Sequence, residues 1–305
     1  MPDDLNPIQH EVLAALRVPD EWAPLEGGVV ARTEQLLVDE LTPVKGQFTA
    51  DDPLWISKHA LTTVHGCERH HVEQAKEPFS WNVNTVKGTI VHKAVELYLN
   101  WPGSVTPAEL VDEAVAAIAQ NPRERASDFL DQLPAADMAQ LRGAVLAAVT
   151  NYVDTFPPLK KQWRPLVEYP AYYSLFSDSV VFSTRMDLVI GAPGRRVIID
   201  LKTGRLTSTH RDDLRFYALV ETLKSRQVPR LVASFSLDAS RLDEEQVSED
   251  VLQAAVRRTA RGAIAIAQLR SGEREPTVRP GPQCRWCPVS ADCAEGSAHL
   301  EELAG

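Results

Sequence analysis

"VIIDLKTG", Val197 to Gly204, decides how the rest of the chain is read. Val197, Ile198 and Ile199 have the β-branched character of a buried strand, yet the run ends in Asp200, Leu201 and Lys202. Burying a carboxylate and an ammonium is costly unless they pair or hold a metal. Lys202 lies two residues past Asp200 and so, on a strand, points to the same face. Upstream, "SVVFSTRMDLVIG" forms a second strand carrying Asp187, with twelve residues between it and Asp200. A tight turn between two such strands brings the carboxylates side by side. They repel unless a divalent cation lies between them, and hard oxygen ligands favour Mg²⁺ or Mn²⁺. Lys202 would then hold or polarise the water such a metal activates, and the Leu201 carbonyl is available as a further ligand. The plainer alternative is a surface Asp–Lys pair worth about 0 to 1 kcal/mol.

Working outward, "LVEYPAYYSLF" precedes these two strands, with turn signals at Ser177 to Ser179 and Ala192 to Gly194. "RDDLRFYALVETLKS" then reads as a helix, "RLVASFSLD" as a strand, and Ser248 to Leu269 as a long helix. The first 160 residues lack strand alternation and read mostly helical, with breaks at prolines such as Pro53, Pro78, Pro102, Pro122 and Pro134. Ile90, Val91, Ala94, Val95, Leu97 and Tyr98 make a helical stripe. In "TPAELVDEAVAAIAQ", Thr106 is the N-cap, Pro107 the first helical residue and Glu109 completes a capping box. "MAQLRGAVLAAVTNYVDTF" is another amphipathic helix. The expected class is α/β, a mixed sheet flanked by helices.

Three further groups carry chemistry. His92 and Glu96 stand four apart on one helical face, and His92 offers an imidazole to the carboxylate site; the alternative is a satisfied core histidine. Asp213 and Tyr217 present a carboxylate and a phenol from the helix after the strand pair, or form an acidic helix start with a packed tyrosine. "CRWCPVSADC" holds Cys284, Cys287 and Cys293, and the only other cysteine is Cys67 in "TVHGCERHH". Four thiols suit either a 4Fe-4S cluster or a structural zinc, and His65, His70 and His71 are possible substitutes in a zinc site. Either tie joins the two ends of the chain.

Composition sets the frame. In 305 residues, 44% hydrophobic content is ordinary for a folded core, and no apolar run nears the length of a membrane span. The start "MPDDLNPIQH" lacks signal-peptide order, so a cytoplasmic protein with reduced thiols is expected. A net charge of -10 argues against an anionic partner, but it is uneven. Residues 1–60 hold eleven acids, Asp3 and Asp4 among them, against four bases, so the stretch before about residue 55 reads as an acidic appendage. By contrast, Arg257 to Arg279 contains six arginines and two glutamates, either a basic surface or a solvated helix face.

Taken together, the chain resembles the PD-(D/E)XK nuclease superfamily. More narrowly, it is similar to the RecB-like branch that includes CRISPR-associated RecB-type exonucleases and the nuclease domain of AddB, which carry an iron–sulfur cluster. The landmarks follow in order: Cys67, "GTIVH" with His92, "VEYP" with Glu168, "RMDLV", "IIDLKTG", a helix with Tyr217, then the three clustered cysteines. The resemblance implies a restriction-endonuclease-like fold over residues 56–305, with a helical N-terminal extension over 1–55 and a C-terminal tail pinned by cysteines. It implies that His92, Asp187 and Asp200, with Leu201, bind Mg²⁺ or Mn²⁺, that Lys202 serves the hydrolytic water, and that Tyr217, Glu168 and Asp213 lie on the substrate side. Cys67, Cys284, Cys287 and Cys293 would hold a 4Fe-4S cluster. Asp213 departs from the glutamine usual in the family. The implied activity is a metal-dependent DNA nuclease acting on single-stranded ends or branched DNA in repair, recombination or mobile-element metabolism. The alternatives are a non-catalytic nucleic-acid-binding subunit and a zinc-stapled protein of unrelated activity. No Gly-x-x-x-x-Gly-Lys-Ser/Thr loop is present, so any helicase or recombination partner is a separate protein.

Overall fold

The computed structural model describes residues 5–120, 126–204 and 206–304, so the readings made at Asp3, Asp4 and Pro122 lie outside the described residues. In chain order come α1 (Pro7–Leu16), α2 (Val29–Glu40), β1 (Leu54–Ser57), α3 (Lys58–Gly66), α4 (Glu68–Lys76), α5 (Val83–Asn100), α6 (Pro107–Ala119), α7 (Ala126–Gln132) and α8 (Ala135–Thr155). There follow β2 (Leu166–Leu175), β3 (Val180–Ile190), β4 (Val197–Lys202), α9 (Ser208–Ser225), β5 (Leu231–Ser236), β6 (Arg241–Gln246), α10 (Glu249–Ser271) and α11 (Ala294–Ala304). The mixed sheet flanked by helices is the fold class expected from the sequence.

Local chemistry fixes several of these elements. The capping box of α6 forms as read, with Thr106 accepting from the Glu109 amide and Glu109 reaching back to Thr106. On α5, Ile90, Val91, Ala94 and Val95 are buried while Leu97 and Tyr98 are half-buried. Two strands were not expected. β1 contradicts the strand-free reading of the first 160 residues, because four residues after Pro53 are too few to display alternation. β6, "RLDEEQ", is an edge strand whose polar composition hides it.

The sheet order is β1-β3-β4-β5-β6, with β2 also paired to β3. β2, β3 and β4 form an antiparallel meander, α9 crosses over to place β5 parallel to β4, and β6 returns antiparallel. One core layer packs β1, β3 and β5 residues against α2, α9 and α10, and takes in Val29, Leu37, Leu41 and Val44. The other packs Leu188, Ile199, Leu201 and Phe235 against α5 and α8. Ile90→Ala on α5 would cost about 2 to 5 kcal/mol through the void it leaves.

The register creates a fork. β1 runs parallel to β3 only over Leu54↔Val180 to Ser57↔Ser183, whereas β4 pairs antiparallel only over Val197↔Ile190 to Ile199↔Leu188. Between them, Thr184 to Asp187 of β3 lack a ladder partner on that side, and the C-terminal ends of β1 and β4 run toward this gap.

Candidate active site

The fork is where the charged residues meet. Asp187 lies at its edge on β3, and its Oδ2 accepts the Leu201 amide at 2.7 Å, tying β4 to β3 where the ladder has stopped. Opposite Asp187 on β2 stands Glu168. The ladder pairs Val167 with Leu188 and Tyr169 with Met186 but skips the pair between, because Glu168 has φ 48°. A non-glycine residue held there stores strain of order 1 kcal/mol or more. That conformation turns the Glu168 carboxylate toward His92 of α5, whose Nδ1 lies 3.2 Å from Glu168 Oε1 and 3.6 Å from Asp187 Oδ1. One ligand atom each from His92, Glu168 and Asp187 falls within 4.8 Å of the others.

The second ring nitrogen of His92, Nε2, is 3.3 Å from the Leu201 carbonyl. Both nitrogens face acceptors, so the ring favours the imidazolium. Burial opposes that charge, but Asp187 and then Glu168 outweigh it and push the pKa to about 9. The Asp187 carboxyl is raised as well, to about 6, chiefly by burial, with His92 opposing the effect and the nearby Asp200 adding to it.

Asp200 is fully buried at 0% exposure, yet it stays ionised. Burial would raise its pKa; Lys58 and Lys202 together hold it below the usual carboxylate range. Lys202 Nζ is 2.6 Å from Oδ2 and Lys58 Nζ 3.5 Å from Oδ1. The contact from Lys202 is close but poorly directed, so Oδ2 has no hydrogen-bond donor aligned on it among the described residues. The Asp–Lys pair of the sequence is therefore a buried pair.

Lys58 is the residue that sequence reasoning missed. It opens α3 just after β1, where Ser57 accepts the Ala60 amide as N-cap. Its ammonium lies 5.1 Å from the centre of the Tyr217 ring. Burial disfavours the charge, but Tyr217, Asp200 and Asp187 hold its proton affinity above the usual lysine range. The signal was "LWISK", an apolar strand running into a lysine, the pattern already singled out in "VIIDLK".

Tyr217 is 1% exposed and meets the site through Lys58 rather than through solvent. Asp213 accepts from Thr62 Oγ1 at 3.0 Å, with burial raising its pKa. Glu96 pairs with Lys93 at 3.0 Å on its own helix and lies outside the group formed by His92.

The cysteines form a second centre. Cys67 sits between α3 and α4, Cys284 and Cys287 lie at a short turn over residues 282–286, and Cys293 immediately precedes α11. All four are free thiols and all four line one cavity. The Arg279 amide donates to Cys67 Sγ at 3.5 Å and the Gly281 amide to Cys284 Sγ at 3.4 Å. Among the described residues, no three of the sulfurs have their Sγ atoms all within 4.8 Å of one another. Of the three neighbouring histidines only His70 lines the cavity; His65 contacts the Arg258 carbonyl and His71 contacts Thr63. Glu68 clasps the start of α4 to the segment after α10, taking both terminal nitrogens of Arg274 at 2.6 Å and the Thr277 amide at 2.9 Å. Among the described residues no helix is long and apolar enough to cross a membrane.

A family model described as the PD-(D/E)XK nuclease superfamily matches residues 56–294. Among solved structures, a "Putative exonuclease" from Eubacterium rectale is 13% identical with a TM-score of 0.46, over 89% of this chain and 94% of that one. The structure of SSO0001 is 15% identical with a TM-score of 0.37, over 87% of this chain and 96% of that one. No curated protein matches the chain.

Proposed function

The chain belongs to the PD-(D/E)XK nuclease superfamily, and from that premise we propose that it is a divalent-cation-dependent DNA nuclease of the RecB-like branch, acting on single-stranded ends. The observation that carries this reading is the convergence of His92, Glu168 and Asp187 at the sheet fork, with Asp200 held ionised behind them by Lys58 and Lys202.

The donor set fits a hard cation. Two carboxylates, an imidazole and a peptide carbonyl suit Mg²⁺ or Mn²⁺. The buried Asp200 carboxylate, ionised and paired with Lys202 and Lys58, keeps negative charge beside these donors. His92, Glu168 and Asp187 would hold the ion, with the Leu201 carbonyl beside His92 and the buried Asp200 behind them. When bound, the cation offsets phosphate charge and makes a bound water more acidic. Lys202 steadies the Asp200 carboxylate and presents an ammonium to the attacking water or to the developing phosphate charge. Lys58 keeps Asp200 charged from the other side. The Arg185 side chain, 66% exposed and 3.9 Å from Glu168, is placed to meet a phosphate of the incoming strand.

Four cysteines lining one cavity support a metal centre there, which we read as a 4Fe-4S cluster, with tetrahedral Cys₄ zinc as the alternative. Such a cluster would pin the tail carrying Cys284, Cys287 and Cys293 to the segment around Cys67.

Anaerobically purified protein, given end-labelled single-stranded DNA with and without Mn²⁺, tests this. The expected outcome is brown protein with about four irons per chain, and cleavage that EDTA stops and Asp200→Ala abolishes. Undiminished cleavage by Asp200→Ala defeats the site assignment. Binding without cleavage across several cations would favour a nucleic-acid-binding subunit.

A further inference from the structure

The face of the sheet beside the metal site carries an exposed aromatic pair. On β1 the buried Leu54 and Ile56 alternate with Trp55, which is 51% exposed, and on β2 Tyr172 is 53% exposed. Large aromatics are seldom left in water side by side without a role. The two rings meet edge to face with centroids 6.4 Å apart, and the indole N–H of Trp55 donates to Ser183 Oγ at 2.8 Å, which fixes the ring on the sheet.

Register places the pair relative to the chemistry. Trp55 lies opposite Val181, Tyr172 opposite Ser183 and Pro170 opposite Arg185. Ser183 and Arg185 face away from the core that takes Val180, Phe182 and Met186. Asp187 follows four residues after Ser183, about 13 Å along the strand. Arg185 bridges the interval, with its guanidinium near Glu168 and its side chain otherwise in solvent. Arg185, Glu168 and His92 line one groove. The aromatic face is thus continuous with the reactive centre, and the Arg185 guanidinium lies between them.

We propose that Trp55 and Tyr172 form a base-stacking platform that, with Arg185, holds the single-stranded part of a nucleic-acid substrate next to His92, Glu168 and Asp187. This rests on the nuclease reading above and assigns the residues that hold its single strand. An aromatic face stacks unpaired bases of any sequence, whereas in a duplex those faces are already stacked on one another. Arg185 supplies the phosphate contact, and the fixed indole pays little ordering entropy on binding.

The test is anisotropy of the full-length protein with fluorescein-labelled oligothymidine and with a blunt hairpin duplex. Ca²⁺ replaces Mn²⁺, and gels confirm that the probes stay intact. Trp55→Ala and Tyr172→Ala should each weaken single-strand binding about 5- to 100-fold, with Trp55→Phe within about 3-fold of wild type and hairpin affinity within about 2-fold throughout. Single strands should also quench tryptophan fluorescence in wild type and not in Trp55→Ala. Tyr172→Ala leaves the Trp55–Ser183 bond in place, so it reads out stacking even if Trp55→Ala folds poorly. Wild-type affinity in Tyr172→Ala and Trp55→Ala, from a preparation whose wild type cleaves in Mn²⁺, overturns the platform and leaves the nuclease reading intact. Equal losses on single strand and hairpin overturn the selectivity. Unchanged oligonucleotide binding with an altered mass distribution overturns it in favour of a contact between two copies of the chain. A wild type that neither binds nor cleaves overturns both readings.

Discussion

The carboxylate group and the cysteine group are built in opposite ways. The first draws its residues from α5, β2, β3 and β4, and each is fixed by the sheet or by a helix packed on it. Its charges are balanced before any cation arrives, because His92 offsets Glu168 and Asp187 while two lysines offset Asp200. The second draws Cys284, Cys287 and Cys293 from short turns outside the sheet, and the sulfurs themselves receive few hydrogen bonds. A site built on strands keeps its shape when empty, whereas a site built on turns depends on what it binds. Removing the hard cation should therefore remove chemistry and spare the fold, and removing the soft centre should loosen the fold and reduce chemistry only through it.

The largest effect expected is at Asp187. Asp187→Asn keeps an acceptor for the Leu201 amide but removes the charge, so Mn²⁺-dependent cleavage should fall by about a thousandfold or more. The same change should raise the melting temperature of the cation-free protein slightly, because a buried carboxyl with a raised pKa is destabilising when ionised. Activity in Mn²⁺ and melting in EDTA check the two halves. A variant that lost stability as well as activity would erase the contrast between the sites. The converse is Cys67→Ser. It should cost about 2 to 4 kcal/mol and lower the melting temperature by about 5 to 10 °C, with loss of iron and a smaller fall in cleavage. An unchanged melting curve would show that the tail needs no metal.

Acidity sharpens the comparison next. With a pKa of about 9, His92 is protonated at pH 7 and must lose that proton to bind a cation. Mn²⁺ affinity should climb about tenfold per pH unit from 7 toward 9 and then level off. The cation-free fold changes in the other direction. A raised histidine pKa gives stability that is complete below the unfolded value of about 6.5 and is lost as pH rises through about 9. Calorimetric Mn²⁺ titration across this range measures the first trend and thermal melts in EDTA the second; His92→Ala should flatten both.

How much of this was legible follows from how local each signal is. The β4 strand and its Asp-x-Lys ending, the α6 capping box and the cysteine spacing are written within a few residues, and they were read directly. The strand carrying Asp187 was read as well, but the group Asp187 joins is His92 and Glu168, with Asp200 outside it. Lys58 depends on where β1 docks, a pairing between residues 54–57 and 180–183 that no local pattern encodes. The place of Glu168 among the possible ligands depends on one backbone angle, so the sequence marked the residue without revealing its direction. Tyr217 was placed on the right helix, but its burial beneath Lys58 is a packing outcome. For the cysteines, the spacing grouped Cys284, Cys287 and Cys293, and it is the fold that brings Cys67 to the same cavity.

The smallest effect concerns what holds the turns of the cysteine centre together before a metal binds. Glu68 follows Cys67, and Arg274, assisted by Thr277, holds its pKa down at about 2. A lowered carboxylate pKa contributes stability that is present above the unfolded value of about 4.5 and is lost as pH falls toward 2. Arg274 is about one-third exposed, with 32% of its side chain in solvent, so screening trims the contribution to about 1 to 2 kcal/mol. Glu68→Gln should therefore lower the melting temperature by a few degrees at pH 7, and the difference should shrink to nothing near pH 2. Amide exchange in residues 274–279 should speed up in the variant, while β3 and β4 exchange as in wild type. Equal acceleration in the strands would mean that the clasp supports the whole fold, and that the two centres are less separate than their construction indicates.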